Sequence, residues 1–85
     1  MVEIIPKTRN AVTVMKEIFL TKQPVELFKI LKFEGMASTG GEAKNLIADG
    51  QVMVNGAKEI RKRKQIVSDD IIEFRGEKFV VHLQP

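Results

Sequence analysis

The stretch Ala43-Lys44-Asn45-Leu46-Ile47-Ala48-Asp49-Gly50-Gln51-Val52-Met53-Val54-Asn55-Gly56 decides the architecture. In its first half Ala43, Leu46 and Ile47 recur at helical spacing, and Gly50 suits the left-handed residue that closes a helix. In its second half the period drops to two, with Val52 and Val54 on one face. Asn55-Gly56, the strongest two-residue hairpin signal, follows them. A helix therefore runs directly into a β-hairpin.

Working upstream, Thr39-Gly40-Gly41-Glu42 reads as a capping box, in which Thr39 and Glu42 satisfy each other's free amide groups. A short connection, Met36-Ala37-Ser38, separates this helix from an earlier one. Pro24 is expected to open that earlier helix because its fixed φ suits a first turn. Leu27, Phe28 and Leu31, joined by Ile30, form its inner stripe, Lys29 and Lys32 fall outside it, and Gly35 ends it. The two form a helix–turn–helix-like pair. Before them, Val12, Val14, Ile18 and Leu20 alternate with Thr13, Glu17 and Thr21, a strand pattern interrupted at Lys16. The apolar run at residues 2–5 is cut by Pro6. Residues 1–14 therefore read as an N-terminal extension or extra strand on a domain covering residues 15–85.

Downstream, residues 57–60 return the hairpin, Ile66-Val67 is apolar, and Ser68-Asp69-Asp70 marks a turn. A strand is expected at residues 71–74, a turn at residues 75–78 and a last strand at residues 79–83. The order is strand, two helices, then several short strands. That is an α+β fold, two helices packed on a small, mainly antiparallel sheet.

Composition narrows the chemistry. With 85 residues, folding buries roughly 60–65% of the unfolded chain's surface, which makes one small domain. There is no cysteine, which removes disulfides, thiolate metal sites and thiol nucleophiles. The single histidine, His82, falls in an alternating segment and reads as a strand residue, so no metal or cofactor is expected. No Ser-centred elbow or phosphate-binding glycine loop is present, and an enzyme is not expected. No apolar stretch is long enough to span a membrane, and the first ten residues lack a signal peptide's apolar core; a cytoplasmic protein is expected.

The net charge is +3, but it is unevenly placed. Residues 58–64 hold Lys58, Arg61, Lys62, Arg63 and Lys64 with Glu59 as the only acid, so this run carries +4 and the rest of the chain −1. Such a run suits a solvated loop that keeps a protein soluble. It equally suits an edge that contacts phosphates, where each cation displaces condensed counterions. Lys29 and Lys32 on the first helix and Lys44 on the second add a further cluster. Gly40 and Gly41 leave the second helix's amide end uncrowded, which fits either a flexible start or a phosphate. Phe19, Phe28, Phe33, Phe74 and Phe79 mostly fall on apolar positions; Phe19 and Phe33 could instead be exposed, but their spacing favours core roles over aromatic platforms for splayed bases. A nucleic-acid partner would then be a structured RNA read through backbone and shape.

The ordered residues resemble the S-four RNA-binding domain, also called the alpha-L motif. The resemblance rests on Leu27-Phe28-Lys29-Ile30-Leu31-Lys32-Phe33-Glu34-Gly35, Thr39 to Lys44, Leu46-Ile47, the run from Gly50 to Gly56, and residues 67–71. It covers about residues 16–83 and is closest to small free-standing bacterial members of YbcJ/YaaA type. Many members have Arg after the Ser/Thr that starts the second helix, whereas this chain has Gly40. Many also open the first helix with Arg-Leu-Asp, whereas this chain has Glu26-Leu27-Phe28. The resemblance implies non-catalytic binding of structured RNA, ribosomal RNA or tRNA, with the ribosome as a candidate partner and no membrane or small-molecule substrate. Lys29, Lys32, Lys44, Lys58, Arg61, Lys62, Arg63 and Lys64 are the expected phosphate contacts. Thr39, Gly40, Gly41 and Asn45 are expected to add hydrogen bonds at the second helix's start. The alternative is a protein-interaction module that docks on a ribosomal or other protein, with the basic run serving solubility only.

Overall fold

A computed structural model describes residues 15–84. Seven strands and two helices follow in the order β1 (Lys16–Leu20), β2 (Val25–Glu26), α1 (Leu27–Phe33), α2 (Gly40–Ala48), β3 (Val52–Val54), β4 (Ala57–Lys58), β5 (Gln65–Ile66), β6 (Ile71–Phe74) and β7 (Glu77–Leu83). A five-stranded sheet has the order β1-β7-β6-β3-β4, and β2 pairs with β5 in a separate two-stranded sheet. Among the described residues, β1 against β7 is the only parallel pairing and the others are antiparallel. The expected fold class is the observed one. The reading of residues 1–14 as an extension or extra strand lies outside the described residues.

The helices close one face of the sheet. Leu27, Ile30 and Leu31 of α1 and Ala43 and Ile47 of α2 are buried with Ile18, Val52, Ile72, Phe74, Phe79 and Val81 of the strands. Each fully buried large side chain in such a core contributes about 1.5–3 kcal/mol. Both helices end as Gly35 and Gly50 suggest. Met36 N–H donates to the Leu31 carbonyl and Gln51 N–H to the Leu46 carbonyl, five residues back in each case. At the β3–β4 turn Asn55 and Gly56 both take positive φ, 53° and 85°, the geometry of a tight two-residue hairpin. The Asn55 side chain also reaches across to β6. Its amide donates to Asp70 Oδ1, and its Oδ1 accepts from Ile71 N–H. That exchange ties the hairpin to the start of β6.

Several expectations need correcting. Pro24 does not open α1. Val25 and Glu26 follow it in extended conformation and pair with Ile66 and Gln65, so the helix starts at Leu27. The hairpin's return strand ends at Lys58 rather than Ile60, with Glu59 N–H still donating to the Val52 carbonyl at 2.9 Å while its side chain turns to Arg61. The last strand begins at Glu77 rather than Phe79, and Ile66 alone of Ile66-Val67 is buried. Phe19 and Phe33 are not core: they are 55% and 70% exposed. Phe28 is half-buried at the core's margin.

Candidate nucleic-acid interface

α1 has only seven residues and no side-chain cap: Glu26 occupies the capping position without a hydrogen bond to the helix. Its free amide groups are satisfied from far along the chain. Leu27 N–H donates to the Lys64 carbonyl at 2.9 Å, and Phe28 N–H donates to the Lys62 carbonyl at 3.1 Å. The basic run is therefore fixed against the start of α1 by its backbone. This arrangement satisfies amides that would otherwise need water or a side chain.

The run is not an extended strand. Lys62 and Arg63 form a turn closed by Lys64 N–H donating to the Arg61 carbonyl. Glu59, the one buried charged residue of the described chain, holds the turn's base. Its carboxylate accepts from Arg61 N–H at 3.0 Å, Arg61 Nε at 2.8 Å and Arg61 Nη2 at 3.1 Å. The hydrogen bonds from the Arg61 side chain, chiefly, hold the Glu59 carboxyl below the usual carboxylate range and raise the Arg61 guanidinium.

A cluster forms where the loop meets the helices, centred on Phe28. Lys44 Nζ lies 4.6 Å from the ring centroid, the Arg63 guanidinium carbon 5.3 Å and Lys29 Nζ 6.0 Å. A cation at such distances is attracted by the ring's quadrupole, worth about 0.5–1 kcal/mol at an exposed site. Gly40 borders the same ring: an added Cβ would sit 3.7 Å from it. Glu26 links the set, 3.2 Å from Arg63 and 3.3 Å from Lys29, and the hydrogen bond from Arg63 leads in lowering its pKa. Three cations against one carboxylate leave the cluster positive.

α2 supplies its own cap. Glu42 N–H donates to Thr39 Oγ1 at 3.0 Å, and Glu42 Oε1 accepts from Ser38 N–H at 2.6 Å. The expected box is thus half altered: the carboxylate reaches the residue before the cap, not Thr39 itself. That carboxylate also stands at the helix end where Gly40 and Gly41 would admit a phosphate. Asn45 is exposed one turn further on.

The structure thus brings together Lys29, Gly40, Lys44 and Arg63, with the backbone of Lys62 and Lys64 beside them. It sets three expected residues apart. Arg61 is engaged by Glu59. Lys32 is exposed in the last turn of α1, where a cation favours the helix's carbonyl end. Lys58 crosses Gly50 after the far end of α2, where an added Cβ would lie 3.1 Å from Lys58 Cδ. Sequence reasoning missed Phe28, Glu26 and Glu59 as parts of the site. The Glu26/Lys29 spacing and the Glu59/Arg61 spacing were the available signals.

Comparison with known proteins identifies the fold and family. Residues 18–82 match the sequence pattern of the S4 domain. YbcJ of Escherichia coli (strain K12), whose name gives it RNA binding provisionally, is 48% identical over 63 residues, 73% of this chain and 90% of YbcJ. The YbcJ of Shigella flexneri matches to the same extent. The solution structure of E. coli YbcJ, described as an αL motif involved in RNA binding, superposes with a TM-score of 0.63 at 40% identity, covering 94% of this chain and 96% of that one. The 30S ribosomal protein S4e of Thermoplasma acidophilum matches with a TM-score of 0.57 at 29% identity over 67% of this chain and 30% of S4e. With two helices on a mainly antiparallel sheet and a family match across nearly all the described residues, the chain belongs to the S4 domain family.

Proposed function

We propose that this protein binds structured RNA, ribosomal RNA or tRNA, without catalysing a reaction, in the cytoplasm and in some settings on the ribosome. The observation that carries this reading is the cation cluster around Phe28, built where the basic loop's backbone docks on α1. Charged residues gathered from both helices and a loop 19 or more residues away in sequence form a surface, which a merely solubilising run does not need. Lys29, Lys44 and Arg63 are the central phosphate contacts. Lys62 and Lys64 extend the surface on the loop, and Lys32 at the end of α1 and Lys58 on β4 add cations further out. Arg61 contributes through its hold on Glu59 and with the part of its guanidinium left exposed. Thr39 fixes the start of α2, so that the Gly40 and Gly41 amides and the Asn45 side chain offer hydrogen bonds there. The name of E. coli YbcJ and the description of its solution structure support RNA as the polyanion.

The test is a salt series. With roughly four to six phosphates neutralised, log K for purified ribosomal RNA falls against log salt with a slope of about −3 to −5. Arg63→Ala with Lys44→Ala lowers affinity evenly across RNA sequences, because phosphate contacts carry no base identity. A slope near zero overturns the electrostatic surface. Absence of binding at low salt gives the helix pair to a protein partner instead.

A further inference from the structure

The exposed rings of Phe19 and Phe33 lie on the walls of one groove, about 480 Å³ in volume, between the β1–β2 connection and α1. Val25 and Pro24 add apolar surface, and Lys22, Lys29 and Glu26 supply its charged groups. The volume lies in the range of pockets that hold a small organic group. His82 backs the Phe19 ring, stacked at 5.2 Å between centroids and 26° between planes, which limits its movement. Phe33 stands in the last turn of α1 with 70% of its surface exposed, so burial of its ring against a partner would contribute stabilisation that the fold leaves unused.

The groove is continuous with the surface described above. Lys29 and Glu26 belong both to its walls and to the cluster around Phe28. Its charges suit one kind of occupant. A phosphate inside would meet the Glu26 carboxylate, whereas a neutral base can donate N–H groups to a carboxylate and stack on a ring. The phosphates flanking such a base would lie on Lys22 and Lys29. We propose that the groove takes one unstacked base of the bound RNA, held against Phe33. The proposal rests on the RNA-binding reading and adds to it that the target carries a bulged or looped-out nucleotide beside a helix. Base–aromatic stacking of this type is tolerant of base identity.

The experiment uses two labelled RNA hairpins of identical sequence, one with a single bulged adenosine and one fully paired, in fluorescence anisotropy with the full chain. The wild type is expected to bind the bulged hairpin about tenfold more tightly. Phe33→Ala removes that preference while keeping the affinity for the paired hairpin and the salt slope, and Phe33→Trp restores it. Circular dichroism of Phe33→Ala, altered at an exposed position, reports an unchanged fold. Equal affinity of the wild type for the two hairpins overturns this proposal and leaves the RNA reading standing, as does a preference that survives in Phe33→Ala. A dimer seen by sedimentation in the wild type and lost in Phe33→Ala assigns the groove to a second copy of the chain. Absence of binding to both hairpins at low salt overturns the RNA reading and this proposal with it.

Discussion

The two helices start in opposite ways. α2 is capped within four residues of its own first turn, by Thr39 and Glu42. α1 is capped across the fold, by carbonyls of Lys62 and Lys64 that lie 34 or more residues away in sequence. The difference matters because the loop doing the long-range capping is the positively charged one. Folding α1 and presenting the basic loop are thus one event, whereas α2 can form its first turn without help. A seven-residue helix is too short to be stable alone, so α1 depends on burial and on the loop.

If that comparison is right, damage around α1 should exceed damage at the start of α2. The largest effect is expected at Leu27, fully buried in the first turn of α1. Leu27→Ala should lower stability by about 2–5 kcal/mol in urea unfolding, the range for emptying a buried leucine site. A loss below about 1 kcal/mol would show that α1 is peripheral to the fold. Next comes Glu59, which the charge count alone would call dispensable. Glu59→Ala makes the protein more positive and should still weaken RNA binding, because the loop loses its base. Stability should fall by about 1–2 kcal/mol, since several hydrogen bonds to one carboxylate are lost and solvent screens the exposed partner. Tighter binding in that variant would mean that charge matters and loop position does not.

The same carboxylate gives a pH dependence with a defined sign. Its pKa is lowered in the folded state by the hydrogen bonds from Arg61. Below the usual glutamate value of about 4.3 the unfolded chain takes up the proton first, so stability falls with falling pH through that window. Glu59→Gln should show a shallower loss of stability between about pH 5 and pH 3 than the wild type. Identical acid profiles for the two proteins would place the interaction in solvent-exposed, unproductive geometry.

How much of this was legible follows from the range of each interaction. The α2 cap, the glycine stops and the Asn55-Gly56 turn are set by residues a few positions apart, and pattern reading finds them. The Glu42 carboxylate landing on Ser38 rather than Thr39 is a local detail of rotamer and loop path. Pro24 misled because an extended pair, Val25 with Ile66, outweighed its suitability for a first turn. Phe19 and Phe33 misled because apolar spacing says where a ring sits on an element, not whether another element covers it. Phe33 follows the inner stripe of α1, but the chain turns away at Glu34 and leaves it bare. The basic residues are recognisable as a group from their adjacency. Their sorting into Arg61 on Glu59, Arg63 on Phe28 and Lys58 over Gly50 depends on partners distant in sequence or on backbone turns. Pattern reading carries neither.

The capping comparison also orders the two smallest effects. Thr39→Ala removes one local hydrogen bond and should cost about 1 kcal/mol in urea unfolding, with RNA affinity reduced only as far as the start of α2 frays. A cost equal to that of Leu27→Ala would erase the distinction between the two helix starts. Gly40→Ala should be smaller still and of opposite sign. Gly40 lies in helical conformation, and the new methyl would meet the Phe28 ring at 3.7 Å, an ordinary contact. Less freedom in the unfolded chain should then raise stability by about 0.4–1 kcal/mol. The backbone N–H survives the change, so RNA affinity should stay within about twofold of wild type, well under the tenfold that about 1.4 kcal/mol represents. A tenfold loss with unchanged stability would mean that a phosphate approaches the start of α2 more closely than a methyl group permits. The two helix starts would then share the binding role instead of dividing it.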